Sequence, residues 1–257
     1  MRTFGVSPEL VRRLLSLGEF LNSVPFVKRH STFFATLALF VLAFLTYYFT
    51  GRGATKFDYF VPLADGFLHG RLSLVNPSPI LVNDELVHGA YVIYPPMPAI
   101  VLLPAVAVWG LDVNQALASA LFGGLNTSLV FLLMKHFTDS LRLRLWLAVL
   151  FGFGTIHWWL ASVGSAWYFA HIISFFFLIL AIFAVLTNRR PFVIGLLLGA
   201  SYWTRLTTIF SLPFFVIMLA ERWRQKSNNP PVVRRVRFAT FAAPRLARAR
   251  RAVPSGS

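Results

Sequence analysis

Residues 167–187 read WYFAHIISFFFLILAIFAVLT, a run without one Asp, Glu, Lys or Arg. A helix needs roughly 20 apolar residues to cross a hydrocarbon core of about 30 Å, and this run has that length. The same reading extends outward. Towards the N-terminus lie the apolar runs Leu145–Val163, Val113–Met134 and Phe33–Phe49, with a shorter one at Pro98–Trp109. Towards the C-terminus Phe192–Ala220 is too long for one upright span. The composition agrees: 57% of the residues are hydrophobic and 13% charged, about half the charged share of a soluble domain. The expected fold is all-α, a polytopic transmembrane helix bundle. With no cysteine, the chain has no disulfide, thiolate metal site or thiol nucleophile, and its cysteine usage reports no redox compartment.

Charge orients the spans. Basic residues cluster at 1–31 (five Lys/Arg), at Lys135–Arg144 (three), at Arg189 and Arg190, and from Arg222 onward (ten). The positive-inside rule places all four groups in the cytoplasm. One threading satisfies them. Phe33–Phe49 exits, between Lys28-Arg29-His30 and the interfacial Tyr47, Tyr48 and Arg52, and residues 51–112 stay outside. Val113–Met134 returns, Leu145–Val163 exits and Trp167–Thr187 returns. Phe192–Ala220 goes out and back as two short helices turning near Thr204-Arg205. This expectation has about six crossings and both termini cytoplasmic in a plasma or inner membrane. Pro98–Trp109, between Pro95-Pro96 and Gly110, is too short to cross and is expected as a re-entrant or juxtamembrane helix. A cleavable signal peptide is the competing reading of the first run, but that run lies far from the N-terminus and no small-residue cleavage site follows it.

Three regions follow: an amphipathic cytoplasmic segment over 1–31, a membrane domain over 32–222, and a basic tail over 223–257. In the first, Ser7-Pro8 starts a helix whose Leu10, Leu14, Leu17 and Leu21 line one face opposite Arg12 and Arg13; it either lies on the inner membrane surface or is solvated. The tail is rich in Arg and Ala with almost no acid, the composition of a disordered segment that meets anionic inner-leaflet lipid. Nucleic-acid binding is not expected, since no folded recognition element accompanies the arginines.

Candidate chemistry concentrates outside. Five of nine acids, Asp58, Asp65, Asp84, Glu85 and Asp112, fall between 51 and 112, together with Lys56, Arg71, His69 and His88. Such a connection is longer than joining two spans requires. Phe60–Leu68 has helical character, which would set Asp58 and Asp65 on one face two turns apart, either one available as a base. Charge near hydrocarbon is the second signal, because it costs about 2.5 kcal/mol or more. Arg205, flanked by Thr204, Thr207 and Thr208, can hold a lipid phosphate through paired hydrogen bonds or simply reach for headgroups. His171, beside Trp167 and Tyr168, either meets the same substrate or bonds a neighbouring helix. His157-Trp158-Trp159 reads as an aromatic belt, and Gly152-Phe-Gly154 as a helix-packing site. There is no Gly-rich phosphate loop and no His-Glu-x-x-His.

The order of these features carries a resemblance. A single span is followed by an outer acid and Phe60-Val-Pro-Leu-Ala-Asp-Gly-Phe-Leu-His-Gly-Arg-Leu72, then by Tyr94-Pro-Pro-Met-Pro, an apolar helix ending Trp109-Gly110, and a span ending in basic residues; later comes Trp203-Thr-Arg-Leu-Thr-Thr-Ile209. Over roughly 30–222 the chain resembles the polyprenyl-phosphate-sugar-dependent membrane glycosyltransferases of the GT-C fold, a protein-mannosyltransferase-like superfamily. The resemblance implies transfer of a sugar from a polyprenyl-phosphate donor to a lipid, glycan or protein acceptor on the extracytoplasmic face. It implies that Asp58, with Asp65 second, serves as the base or orients the acceptor, that Arg205 holds the departing phosphate, and that Tyr94 positions the loop helix over the site. His171 and Arg71 join the substrate-binding set.

Two departures matter. Many members carry an acid in the next outer loop, whereas Ser162–Phe169 has none, which speaks against a divalent metal held between two loops; no other cofactor is expected. Members are also commonly longer, with further spans, so a truncated member is expected. The alternatives are an inactive fragment or non-catalytic partner of such an enzyme, and a transporter. The spans are nearly uncharged inside and the acids gather in one external loop, unlike the mid-membrane sites of transporters.

Overall fold

The computed structural model describes residues 9, 31–51, 53–75, 77, 86–88 and 91–228. Most of the amphipathic segment, Asp84, Glu85 and the tail from 229 lie outside the described residues. The chain is a helix bundle: α1 (Ser31–Thr50), α2 (Phe60–Leu68), α3 (Met97–Trp109), α4 (Gln115–Leu133), α5 (Leu141–Phe153), α6 (His157–Val163), α7 (Ala166–Leu186), α8 (Pro191–Tyr202) and α9 (Leu212–Asn228). A two-residue antiparallel ladder, Leu86–Val87 with Tyr91–Val92, interrupts the outer segment. Among the described residues four helices are long and apolar enough to cross a membrane, Ser31–Thr50, Gln115–His136, Ala166–Leu186 and Leu206–Gln225, and five if the bent pair α5–α6 is one span. The protein is a multi-pass membrane protein.

Local sequence sets the helix ends. Asn114 caps α4 by accepting from the Ala116 and Leu117 amides, Ser140 caps α5 through the Leu143 amide, and Pro191 opens α8 where no amide donor is needed. The run expected as one span, Leu145–Val163, is instead broken by a bend of 53° between α5 and α6. Thr155 sits at the break: its hydroxyl donates to the Phe151 carbonyl near the end of α5 and accepts the His157 amide that starts α6. The long run after Arg190 does divide in two. α8 stops at Tyr202, a 3₁₀ turn spans Leu206–Ser211, and α9 follows.

Small residues and polar side chains hold the bundle, as expected where lipid removes the hydrophobic drive between helices. The Tyr47 hydroxyl on α1 donates to the Gly152 carbonyl and lies 2.9 Å from the Thr127 hydroxyl, so α1, α4 and α5 meet at one buried phenol. Asn126 donates to the Ile172 carbonyl, tying α4 to α7, and Ser174 and Ser201 exchange hydrogen bonds between α7 and α8. His157, read from sequence as an interfacial belt residue, is 1% exposed. It reaches the Gly123 carbonyl and lies among the rings of Tyr47, Phe151 and Phe175. Gly152 packs as its sequence context suggested. At Gly123 a Cβ would stand 2.5 Å from Ala161 Cβ and 3.0 Å from the Tyr47 ring. Gly123→Ala should therefore cost about 1–3 kcal/mol by overpacking, seen as a lower midpoint of thermal unfolding in detergent. An unchanged midpoint would mean that the α1–α4–α6 junction is loosely packed.

The two ends of the bundle differ in charge. At one end His136 packs edge-on against Phe183 and Arg222 donates twice to the Arg189 carbonyl, gathering Lys135, Arg189, Arg190 and Arg222. At the other, Ala166 donates to the Phe57 carbonyl at 2.8 Å, bringing the Asp58 segment to the start of α7. There α2 and α3 pack over the first half of α7. Phe60, Leu63 and Ala64 meet Ala99, Leu102 and Val106 from one side and Phe169, Ala170 and Ile173 from the other.

Candidate functional site

The site is built on the end of the bundle covered by α2 and α3. His171 lies one turn after Trp167 on α7, so both side chains share a face. Arg205, in the extended residue between α8 and the 3₁₀ turn, meets them. Its Nη2 lies 2.7 Å from His171 Nε2, and its guanidinium sits 5.2 Å from the centre of the Trp167 ring. Trp167 Nε1 donates to the same His171 Nε2 at 2.9 Å.

That sharing fixes the chemistry. Both partners are obligate donors, so Nε2 acts as acceptor and the imidazole carries its proton on Nδ1. One nitrogen lone pair divided between two donors compensates Arg205 weakly. Among the described residues no carboxylate pairs with it. The guanidinium stacks on Trp167, with most of its N–H donors uncommitted to His171.

Tyr94 completes the cluster from the outer segment. Its hydroxyl is within electrostatic reach of Arg205, and its ring packs against Tyr59 at 5.9 Å and Phe60 at 6.3 Å between centroids. Tyr59 directly follows Asp58. Of the residues singled out in the sequence, His171 and Arg205 meet directly, Tyr94 lies within electrostatic reach of Arg205, and Asp58 comes near only through the backbone, as the residue before Tyr59.

Asp58 precedes α2 rather than lying on it, because the helix starts at Phe60; the shared helical face with Asp65 does not form. Its carboxyl is half-buried, and burial pushes its pKa up against the opposing effect of its own backbone amide. A raised pKa makes a stronger base once the proton is lost. Asp65 takes another course. Arg71 Nη2 lies 3.3 Å from Asp65 Oδ2, and His69 Nδ1 lies 3.5 Å from Oδ1. Asp65 and Arg71 spend their charges on each other across the C-terminal turn of α2. Among the described residues no three of His, Asp and Glu gather closely enough to hold a metal ion.

No known protein family, curated protein or solved structure matches the chain. The site therefore rests on its own geometry. An open cleft of about 500 Å³ lies at the same end, lined by Thr50, Thr155, Ile156, Trp158, Trp159, Ser162 and Val163. Its hydroxyls are engaged locally: Thr50 accepts from Trp158 Nε1 and donates to Thr46, and Ser162 donates to Trp159.

Two contributors escaped the sequence reading. Trp167 is the platform beneath Arg205, and Gln115 is buried against the Asp58 segment. Spacing could have found Trp167, four residues before His171; a single glutamine after Asn114 gave no signal.

The ion pair gives a discriminating expectation. A partly exposed pair is worth up to about 1 kcal/mol, so Asp65→Asn should shift the midpoint of thermal unfolding in detergent only slightly. A large drop in that midpoint would mean that the Asp65–Arg71 pair is a structural tie of α2.

Proposed function

We propose that the protein is a membrane glycosyltransferase of the GT-C type that moves a sugar from a polyprenyl-phosphate donor to a lipid, glycan or protein acceptor on the extracytoplasmic face. The observation carrying this reading is the junction of Arg205, His171 and Tyr94 beside the Asp58 segment. A cation that pairs with no carboxylate among the described residues and a base-competent carboxylate share one end of the bundle, opposite the basic loops. In this reading the chain makes six crossings, with α8 and α9 as a short out-and-back pair and α3 as a juxtamembrane or re-entrant helix. Both termini are cytoplasmic, and the basic tail rests on anionic lipid of the plasma or inner membrane.

The reaction divides between two groups. The Asp58 carboxylate takes the proton of an acceptor hydroxyl as its oxygen forms the bond to the anomeric carbon. The bond from that carbon to the phosphate oxygen breaks, and polyprenyl phosphate leaves with the electron pair. Arg205 stabilises the added negative charge by charge-assisted hydrogen bonds. His171 and Trp167 keep the guanidinium aimed, and Tyr94 holds the outer segment against it.

The test supplies purified chain in proteoliposomes with a radiolabelled polyprenyl-phosphate hexose or pentose and a host membrane extract as acceptor. Label should pass from the isoprenoid fraction to the acceptor in wild type and remain on the isoprenoid in Asp58→Ala. Failure of wild type with every such donor would remove the transferase reading.

A further inference from the structure

We propose that Gln115 is the positioning residue that sets Asp58 in place over the start of α7; its consequence for catalysis, though not its structural part, rests on the transferase reading. Gln115 is the first residue of α4 and only 2% exposed. Its Oε1 accepts the Phe60 amide at 3.3 Å. Its Nε2 donates to the Gly164 carbonyl at 2.9 Å and lies 3.4 Å from the Phe57 carbonyl. One side-chain amide thus grips the backbone on both sides of Asp58 and joins it to the turn that begins α7.

Each partner is a group that its own element leaves unsatisfied. The Phe60 amide belongs to the first turn of α2, whose donors have no intrahelical acceptor, and Tyr59 provides no side-chain cap. Gly164 ends α6 in the left-handed conformation, φ +62°, with its Cα face so close to α4 that a Cβ would stand 2.5 Å from Ala116 Cα. That close fit brings the Gly164 carbonyl to Gln115. The Phe57 carbonyl also accepts from Ala166, so the segment 57–60 is pinned between the starts of α4 and α7. Without the Gln115 amide, the Ala166 hydrogen bond and the packing of Phe60 on Phe169 would remain to hold the Asp58 segment on α7, the helix that carries His171, but the backbone on either side of Asp58 would lose its shared clamp.

The absence of native cysteine provides a readout independent of sugar transfer. Asp58→Cys places a single thiol at the position, and its modification rate by a neutral maleimide reports local opening. Adding Gln115→Met, which keeps the volume and removes the hydrogen bonds, should speed labelling about tenfold, the effect of losing roughly 1.4 kcal/mol of local closure. Gln115→Glu keeps an acceptor for the Phe60 amide but sets a second oxygen against the Gly164 and Phe57 carbonyls, and should accelerate labelling at least as much. A control thiol, Ser140→Cys at the opposite end, should label at the same rate with either residue at 115. In the chain with Asp58 intact, Gln115→Met should lower kcat while leaving donor KM unchanged, because the donor is held by Arg205.

Labelling of Asp58→Cys within about twofold in both Gln115 variants would overturn the proposal, as would equal acceleration at Ser140→Cys and Asp58→Cys in both, which would make Gln115 a general fold residue. Acceleration confined to Asp58→Cys in a chain whose wild type transfers no sugar would keep the positioning role and reject the transferase reading.

Discussion

Asp58→Ala should lower transfer by about a hundredfold or more, the usual contribution of a positioned general base, while the protein still inserts and purifies as a monodisperse species. The expectation follows from position. Asp58 precedes Tyr59, whose ring packs on Tyr94 within electrostatic reach of Arg205, whereas Asp65 is paired with Arg71. Burial raises the Asp58 pKa, and the sign has two consequences. The base must be ionised, so the acid limb of the pH–rate profile should lie above the ordinary aspartate range, and activity should fall as pH drops through that raised value. For stability the direction reverses. An acid that binds its proton more tightly when folded favours the native state most at low pH, and that contribution is lost as pH rises from the unfolded pKa through the folded one. Asp58→Asn, without this cost, should unfold at neutral pH no more easily than wild type. Wild-type transfer by Asp58→Ala would remove Asp58 from the mechanism.

Arg205→Ala should weaken the donor by about tenfold to a hundredfold in KM, the range expected when hydrogen bonds to a charged partner worth 1.5–3 kcal/mol are lost. Folding should suffer less. Arg205 is partly exposed, and His171 keeps its hydrogen bond from Trp167 when the guanidinium is gone. Arg205→Lys should not restore wild-type affinity, because an ammonium has neither the planar fork for a phosphate nor the flat surface that stacks on Trp167. Binding of polyprenyl monophosphate to detergent-solubilised protein separates the outcomes. Equal affinity in wild type and Arg205→Ala would end the phosphate role, and full rescue by lysine would reduce that role to bare charge.

The reach of the sequence can be judged at particular residues. The long apolar runs and the division of Phe192–Ala220 were legible because both depend on local composition: Thr204-Arg205 interrupts hydrophobic sequence, and a polar break there forces a turn. The bend between α5 and α6 was not, because the break at residues 154–156 falls inside a run whose apolar length alone reads as one span. His157 misled for a related reason. Two tryptophans beside it look interfacial, yet its environment is set by Gly123, Tyr47 and Phe175 from three other helices. Within the site, Arg205, His171, Tyr94 and Asp58 stood out singly as polar or charged residues in apolar surroundings. Their convergence did not, since it is made by ring contacts and by the Gln115 hydrogen bonds to residues about 50 positions away.

All of the chemistry requires that Asp58, Arg205 and His171 face the extracytoplasmic side while the basic loops face the cytoplasm. Single cysteines at Ser73, Ser165, Ser140 and Asn188, probed in intact cells with an impermeant thiol reagent, test that arrangement on a chain with no native cysteine. Labelling at Ser73 and Ser165, with none at Ser140 and Asn188 until the cells are permeabilised, is the result expected of an external transferase site. Labelling of Ser140 in intact cells, or protection of Ser165, would put α3 across the bilayer and the Asp58–Arg205 site on the wrong side, and would contradict the account.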